Sequence, residues 1–436
     1  MKRAILADRL FDGSGKLPLD APVVVVDDGL VELVTTQETW DPDEQHGMRV
    51  DRYPGATLLP GLIDGHVHLA FSAAATTADV LAEYMQADDV RLVALAAENA
   101  RRCLASGVTT VRDCGGPGTL IQSLRDAIEA GVSAGPRVLA CGMPITTTAG
   151  HCHFFGLRVD DAAAARKAVR RLVQDDADWI KVMATGGRMT RNSNILRAQF
   201  SDEEMDAIVS EARRLHRRVA AHALSVEGIR SSTIAGVDTI EHCNWQDEHG
   251  RPDYDEELLA AIERQGIHVS ITIVGFMREA YRAFRRDPER WPLPDALRER
   301  YRMEADMFAR GLNAFITSDA GVPECRFDEL HLSLAIAVDW LGLDPTTALQ
   351  SVTSRAAAAL GIADRVGTLE AGKLADVLVV DGDPLHDMTA LATPSAVYAA
   401  GRLVARHGAV FATDARDMGP RPDPVVRLHR RWPADG

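Results

Sequence analysis

The sequence predicts an α/β protein: a (βα)8 TIM-like barrel plus a small β-sandwich domain formed from both ends of the chain. Two observations predict this fold. From about residue 58 to residue 365, short apolar segments alternate with Ala-, Arg- and Glu-rich segments of helical spacing, a repeat that is typical of a barrel. Both ends of the chain are instead rich in β-branched residues separated by Gly, Asp and Pro, as expected of short strands and turns.

The predicted β-sandwich is discontinuous in sequence. Its N-terminal strands lie in AILADRLFDGSG, APVVVVDDGLVELV and MRVDRYPGATLLP, and its C-terminal strands lie in VGTLEAGKLADVLVVDG and AVYAAGRLVARHGAV. We expect the two sets to pair in one domain made of residues 1–58 and 366–412. The remaining residues, 413–436, are rich in Pro, Arg and Asp and are predicted to form a tail.

The barrel is predicted over residues 59–365. One of its helices carries a clear start signal, because Ser201 is followed three residues later by Glu204 in SDEEMDAIVSEARRLHRR, a capping-box pattern. An open, doubly wound sheet is the alternative, but no Gly-rich phosphate fingerprint follows the first predicted strand. The predicted strands are, in order, LIDGHVHL, TTVRDC, PRVLACG, WIKVMA, RVAAHA, TIEHC, HVSITI and AFITSDA.

Composition limits the possible partners. The chain has 436 residues and a formal net charge of −15, and so acidic a surface repels the phosphates of nucleic acids. The cysteines form no CxxC pair and no disulfide framework. We find neither a secretory signal nor an apolar segment long enough to cross a membrane. We therefore expect a cytoplasmic protein that acts on a small molecule. Because barrels of this type commonly associate, we also expect a homo-oligomer.

Side chains able to bind metals occur near the carboxyl ends of five different predicted strands, where a barrel gathers its catalytic groups. Two of them, His66 and His68, are two residues apart in one strand and therefore point the same way. Imidazole and carboxylate ligands suit zinc and its neighbours. The sequence thus predicts a metal site built from His66, His68, Lys181, His222, His242 and Asp319.

Lys181 is the unusual member of this set, because an ammonium group repels a metal ion. It becomes a ligand only if its neutral amine reacts with CO2 to give a carbamate, whose two oxygens can bridge two cations. We therefore expect two divalent metal ions, with zinc ahead of manganese, cobalt and iron. Taken singly, each residue also has an ordinary structural interpretation, such as a helix cap for Asp319; the combination is what favours a metal site.

Two histidines follow the third predicted strand, in the loop TTTAGHCHFFGLRVD. The loop places His151 and His153 near the mouth of the barrel. We expect His151 to act in catalysis as a hydrogen-bond donor to the substrate, and His153 to contact the substrate. Simple packing of the loop is the alternative for each.

The loop after the fourth strand, ATGGRMTRNSNILRAQFS, contains Arg188, Arg191 and Arg197. Because a guanidinium clamps a carboxylate through two parallel hydrogen bonds, we predict that at least one of them, Arg188 or Arg191 first, binds a carboxylate of the substrate. Ion pairs with surface acids are the alternative. Trp245, three residues after His242, is predicted to wall the pocket with an apolar face; packing between barrel and helix is its alternative.

Several of these segments match a known family. PGLIDGHVHL resembles the first-strand signature of the amidohydrolase superfamily, and GTLEAGKLADVLVVDGDP resembles its closing β-sandwich segment. IKVMATGG, AAHA, IEHC and TSDAG resemble the fourth, fifth, sixth and eighth strands of its binuclear members with a carbamylated lysine. The likeness extends to about residue 410 and is greatest for Xaa-Pro dipeptidases and related zinc carboxypeptidases. Imidazolonepropionases are a second relative, although a lysine on strand four is not expected of them.

The resemblance implies a division of the site into two metal positions. His66, His68 and Asp319 are implied to bind the more buried metal, and His222 and His242 the more exposed one. The carbamylated lysine and a hydroxide are implied to bridge them. In the implied reaction this hydroxide attacks an amide carbonyl, while Asp319 accepts a proton and passes it to the leaving nitrogen.

These expectations describe an amidohydrolase-type metallohydrolase, without a nucleophilic serine, that cleaves the C–N bond of a dipeptide or N-acyl amino acid with a free carboxylate. A lactone, carbamate or organophosphate ester hydrolase on the same binuclear site is the alternative, because the metal ligands do not distinguish these substrates. A non-catalytic scaffold is a weaker alternative, because such a protein would be expected to have lost ligands that this chain retains.

Overall fold

The computed structural model describes residues 2–41, 47–273, 275–293 and 295–411. The predicted tail, 413–436, lies outside the described residues. The N-terminal strands are β1 (Arg3–Leu10), β2 (Leu19–Asp20), β3 (Pro22–Asp27), β4 (Leu30–Thr36) and β5 (Arg49–Pro60).

The middle of the chain alternates strands with helices, as predicted. Its strands are β6 (Leu62–Val67), β7 (Val108–Asp113), β8 (Arg137–Ala140), β9 (Ile145–Thr146), β10 (Leu157–Arg158), β11 (Trp179–Met183), β12 (Arg218–Ser225), β13 (Thr239–Gln246), β14 (His268–Thr272) and β15 (Ala314–Thr317). The C-terminal strands are β16 (Val377–Asp381), β17 (Ala396–Ala399), β18 (Arg402–Arg406) and β19 (Ala409–Val410).

The α-helices lie mainly between the strands of the middle segment. They are α1 (Thr77–Gln86), α2 (Asp89–Ala105), α3 (Leu120–Glu129), α4 (Ala162–Gln174), α5 (Asp202–Arg214), α6 (Val226–Ala235), α7 (Glu256–Gln265), α8 (Arg278–Arg286), α9 (Asp295–Ala309), α10 (Leu330–Asp339), α11 (Pro345–Ser351) and α12 (Ser354–Leu360). The described residues also include the 3-10 turns Gly275–Met277 and Met388–Ala392.

Strands from both chain ends form one nine-stranded sheet. Within it β16 runs antiparallel to β5, with Val379 opposite Leu58, and β5 runs parallel to β1. The valine-rich strands β3 and β16 are buried along most of their length, which explains why these segments form a sheet core. The two ends of the chain therefore meet in a β domain, while its exact bounds stay a prediction.

The strands of the middle segment are parallel and lie in two sheets. One has the order β6–β7–β8, and the other has the order β10–β9–β11–β12–β13–β14–β15. Their register places Met183 opposite His222 and Ala223 opposite His242. Because parallel strands point the same way, the side chains at their carboxyl ends gather at one end of the assembly. This architecture is compatible with a TIM-like barrel.

The helices bury one face against the strands. Helix α5 begins with the predicted capping box, in which the Ser201 side chain accepts from the Glu204 backbone N–H and the Glu204 carboxylate accepts from the Ser201 N–H. The same helix buries Met205 and Ile208, so capping and apolar packing hold it in place together. In the part of the chain that the structure describes, no helix is both long and apolar enough to span a membrane.

Candidate active site

Three of the predicted ligands meet at the carboxyl end of β6. The His66 and His68 rings lie 5.3 Å apart between centroids, and their Nε2 atoms lie 3.5 and 3.4 Å from Asp319 Oδ1. Ligand atoms of the three residues all lie within 4.8 Å of one another. Two imidazole nitrogens and a carboxylate at this spacing suit a divalent cation.

The other two predicted histidine ligands lie next to this group. The His222 and His242 rings are 4.7 Å apart, and the His242 ring is 5.0 Å from that of His66. The two residues come from the neighbouring parallel strands β12 and β13. His242 therefore lies between the two groups, and the histidines form one continuous cluster.

Each of these four histidines uses one ring nitrogen on a protein partner and leaves the other for a ligand. Such outer contacts orient metal-binding imidazoles and fix which nitrogen carries the proton. The contacts are His66 Nδ1 with Glu241 Oε2 (2.9 Å), His68 Nδ1 with Gly115 O (3.1 Å), His222 Nε2 with Gly186 O (3.1 Å) and His242 Nδ1 with Thr272 Oγ1 (3.0 Å).

Lys181 lies on β11 and is 1% exposed. Among the described residues its Nζ has no hydrogen-bond partner, and neither has the buried Asp319 Oδ1. A buried polar atom without a partner costs free energy, so two such atoms beside the histidine cluster indicate a site built for an additional ligand. Donor types, burial and orphaned atoms together fit divalent cations and a carbamylated lysine.

Electrostatics favour the metal-binding forms of His222, His242 and Asp319, whereas the pKa of His68, which burial alone would lower, is raised by Asp319. Burial lowers the pKa of His222 and of His242 well below its usual value, and the charge of nearby Lys181 acts in the same direction. Neutral imidazole is the form that coordinates a metal. Burial alone would raise the pKa of Asp319, but His66 and His68 hold it well below its usual range, so the carboxylate is ionised.

The backbone is strained at two of the predicted ligands. The φ angle is 69° at His242 and 55° at Asp319, in the left-handed region that residues other than glycine rarely adopt. Cys243 and Trp245, beside His242, also have positive φ angles of 49° and 51°. Such conformations persist where the surrounding structure enforces them, and they cluster at functional sites.

His151 joins the cluster from the loop after β9. Its ring lies 4.7 Å from that of His222, and its Nδ1 lies 3.1 Å from Thr190 Oγ1. Burial, reinforced by the charge of Lys181, lowers the pKa of His151 to about 3. The imidazole is therefore neutral near pH 7, and its Nε2 lies 3.5 Å from Cys152 Sγ.

Two other predicted substrate contacts are less closely tied to the cluster. His153 is half-buried, and its Nδ1 lies 2.9 Å from Gly150 O in its own loop. Trp245 is 1% exposed and packs edge-on against Tyr254, with ring centroids 5.1 Å apart. Trp245 thus lies on β13 as part of the packed core, and a role for either residue in substrate binding stays a prediction.

The predicted arginine clamp lies on the surface. Arg188 and Arg191 are exposed. Arg197 is exposed as well, with Nη1 3.6 Å from Glu227 Oε2. The structure does not bring these guanidinium groups into the histidine cluster, so carboxylate binding by them stays a prediction.

Sequence reasoning missed a buried charged pair behind His66. Glu241 Oε1 accepts a hydrogen bond from Arg112 Nη2 at 2.6 Å, and both side chains are 0% exposed. Burial alone would raise the pKa of Glu241, but Arg112 and His66 hold it well below its usual range. The segments IEHC and TTVRDC contained a signal for this pair, since each predicted strand has a charged residue, Glu241 or Arg112, among mainly buried positions. Glu241 also forms a second candidate ligand group with His66 and Cys114.

Comparison with known proteins agrees with this geometry. The family model described as "Amidohydrolase family" matches residues 57–404. Ochratoxinase from Aspergillus niger is 28% identical over 423 residues, which cover 90% of this chain and 84% of that protein.

Two solved structures have a similar fold over nearly their whole length. A Xaa-Pro dipeptidase with methionine bound in its active site has a TM-score of 0.78 and 28% identity, covering 92% of this chain and 99% of the dipeptidase. A prolidase complexed with N-methylphosphonate-L-proline has a TM-score of 0.77 and 27% identity, covering 93% of this chain and 100% of the prolidase.

The family match includes every residue of the histidine cluster, Lys181 and Asp319. The family generally uses divalent metal ions, and a ligand group of suitable chemistry is present. The chain belongs to the amidohydrolase family and is a hydrolytic enzyme that acts on C–N bonds.

Proposed function

We propose that this enzyme cleaves the amide bond of a small molecule with a free carboxylate, a dipeptide or an N-acyl amino acid, in a reaction that requires two divalent metal ions. The observation that carries the proposal is the buried Lys181 Nζ, which has no hydrogen-bond partner among the described residues although it lies in a cluster of histidines and a carboxylate. A carbamate at this nitrogen would make the lysine a bridging ligand.

The proposed ligands form two groups. His66, His68 and Asp319 would hold one cation, and His222 and His242 would hold the other. When bound, the cations would supply Lewis acidity toward a carbonyl oxygen and a lowered pKa for a water. Zinc is the proposed metal, because imidazole and carboxylate oxygen are among its preferred ligands.

Two residues of the chain are proposed to act on the substrate directly. Among the described residues, Oδ1 of the ionised Asp319 has no hydrogen-bond partner. On this atom Asp319 would accept a proton, which it would then return to the leaving nitrogen. His151, neutral near pH 7 because burial lowers its pKa to about 3, would donate a hydrogen bond to the substrate carbonyl. Its contact with Thr190 would hold the ring in place.

The relatives support this substrate class. A Xaa-Pro dipeptidase and a prolidase act on dipeptides by name, and their structures contain methionine and N-methylphosphonate-L-proline, both of which carry a carboxylate. Ochratoxinase is named for a different substrate. We therefore propose a compound with an amide bond and a nearby carboxylate, and we leave the side chains of the substrate open.

We also propose that the parallel strands close into the (βα)8 barrel predicted for residues 59–365. In support, the backbone N–H of His68, just after β6, donates to Ala320 O, just after β15, at 2.7 Å, and Val67 forms a parallel bridge with Ala320. The first and last barrel strands are thus adjacent at the end where the metal ligands lie.

The proposal is tested by a substrate panel on enzyme loaded with defined amounts of zinc. The panel contains dipeptides, N-acyl amino acids, a lactone, a carbamate and an organophosphate triester. We expect kcat/KM to be greatest for dipeptides or N-acyl amino acids and to fall when the substrate carboxylate is converted to an amide. Preferential cleavage of the lactone, the carbamate or the organophosphate would contradict the proposed substrate class.

The arginine loop provides a prediction about binding. We expect at least one of Arg188→Ala, Arg191→Ala and Arg197→Ala to raise KM about 10- to 100-fold for substrates with a free carboxylate, with little change in kcat, because a charged hydrogen bond is lost. Steady-state kinetics measures this. Arg264→Ala, at an exposed position on α7, is the matched control. An unchanged KM in all three loop variants would exclude the arginines as the carboxylate site.

A second prediction concerns Gly187, which lies against His151. A Cβ at position 187 would lie 2.3 Å from His151 Nε2, so Gly187→Ala must displace the ring. We expect kcat/KM to fall about 100-fold, since misplacement of a catalytic group by 1 Å has an effect of this size. Gly118→Ala, where an added Cβ meets nothing within 4 Å but the φ angle of 52° disfavours a side chain, should lower Tm and keep its kcat/KM. Wild-type kinetics in Gly187→Ala would argue against a catalytic role for His151.

A further inference from the structure

A buried carboxylate lies directly behind one of the proposed metal ligands. Glu241 Oε2 is 2.9 Å from His66 Nδ1, and both side chains are at most 1% exposed. The other three proposed histidine ligands meet neutral partners instead: the carbonyl oxygens of Gly115 and Gly186 and the hydroxyl of Thr272. Among these four histidines, His66 is therefore the one whose outer ring nitrogen meets a carboxylate.

The carboxylate is itself fixed by Arg112. Arg112 Nη2 donates to Glu241 Oε1 at 2.6 Å, Nη1 donates to Thr239 Oγ1 at 3.0 Å, and Nε donates to Gly65 O at 2.8 Å. The guanidinium carbon also lies 4.6 Å from the centre of the Trp179 ring. These contacts tie Arg112, on β7, to strands β6, β11 and β13, so neither it nor Glu241 has room to move.

We infer that Glu241 is a positioning residue that sets the metal affinity of His66, with Arg112 holding it in place. An ionised carboxylate only accepts hydrogen bonds, so His66 Nδ1 carries the proton and Nε2 keeps its lone pair toward Asp319 Oδ1, 3.5 Å away. The negative charge behind the ring strengthens Nε2 as a ligand. Glu241 therefore strengthens the site formed by His66, His68 and Asp319.

This inference rests on the proposed metal site and is tested separately from it. Zinc affinity is measured by competition with a chromogenic chelator in the wild-type enzyme and in Glu241→Gln. Arg112 and His66 contact different oxygens of the Glu241 carboxylate. Glutamine has an oxygen at only one of these positions, so one of the two contacts is lost. We expect one of the two zinc equivalents to bind about 10- to 100-fold more weakly, with the other unchanged.

The control replaces another buried carboxylate that pairs with an arginine but lies away from the cluster. Asp178 Oδ2 accepts from Arg125 Nη1 at 2.7 Å, and their side chains are 4% and 1% exposed. Asp178→Asn should lower Tm while leaving both zinc affinities unchanged. Wild-type zinc affinities in Glu241→Gln, or equal weakening of both equivalents, would overturn the inference, whereas a wild-type enzyme that binds no zinc would overturn the proposed function instead.

A measurement on the wild type remains decisive if Glu241→Gln does not fold. In a crystal structure of the zinc-loaded enzyme, His66 should coordinate zinc through Nε2, with Nδ1 on Glu241. Glu241 also forms a candidate ligand group with His66 and Cys114, so the crystal structure could instead show zinc bound to Glu241. Zinc bound by Glu241 itself, or by His66 Nδ1, would overturn the positioning role.

Discussion

Replacement of Lys181 by alanine is expected to lower kcat about 1,000-fold or more and to remove most of the bound metal. The amine is the proposed carrier of the bridging carbamate, and without it the two cations share no protein ligand. The loss of metal removes several kcal/mol of transition-state stabilisation. Metal analysis and steady-state kinetics on the same preparation measure both effects. Added acetate or another short carboxylic acid should restore part of the activity by supplying the missing oxygens.

The matched control is Lys167→Ala, because Lys167 is an exposed lysine on α4. It should keep both its metal and its activity. Wild-type metal content and turnover in Lys181→Ala would show that the buried lysine is not a ligand. Loss of activity with full metal content, not restored by any acid, would instead make Lys181 a residue that contacts substrate.

Asp319→Asn is expected to lower kcat about 100- to 10,000-fold, the range for loss of a general acid–base group. The amide keeps the shape of the side chain, but it cannot accept a proton as the ionised carboxylate does. Metal content should fall only partly, since His66 and His68 still present their Nε2 atoms. Kinetics at several substrate concentrations, combined with metal analysis, separates the two effects.

Asp364→Asn is the control for this variant, because Asp364 is exposed and lies outside the site. It should behave as the wild type does. Full turnover in Asp319→Asn would exclude Asp319 as the proton carrier. Complete loss of metal together with activity would restrict its role to that of a ligand.

The sequence predicted that the candidate metal ligands would lie together, because strand ends in a parallel assembly converge by geometry alone. Lys181, His222 and His242 lie on the adjacent strands β11, β12 and β13, and the register of those strands brings the side chains together. His66 and His68 share one face because they are two residues apart. The positions of these ligands depend on the order of the strands and on the alternation of side chains along each strand. Both can be predicted from the sequence.

The loops were harder to predict because their paths depend on local backbone geometry. Ala149 and Cys152 flank His151 with φ angles of 59° and 58°, left-handed values that turn the loop and that no hydrophobic pattern reveals. Cys243 and Trp245 likewise leave the ordinary strand conformation, which breaks the alternation. Trp245 packs in the core against Tyr254, the alternative to its predicted place in the pocket wall.

The buried pair of Arg112 and Glu241 was missed for a different reason. Both residues lie in segments whose other side chains are mainly buried. Such a pattern predicts a strand, but it does not predict the role of a single charged residue within it. A charged residue inside such a strand must find a partner, because an unpaired buried charge is too costly. Arg112 and Glu241 were therefore each expected to have a buried partner of opposite charge, but only the structure shows that they pair with each other.

The central claim, a hydrolase that needs two metal ions bridged through Lys181, is tested most directly by titration of metal-free enzyme with zinc. Amide hydrolysis of a dipeptide or N-acyl amino acid and bound zinc are followed together in buffer that contains bicarbonate. We expect activity to be absent without zinc and to reach its maximum at two equivalents per chain. Undiminished hydrolysis in the metal-free enzyme, or full activity at a single equivalent, would contradict the account.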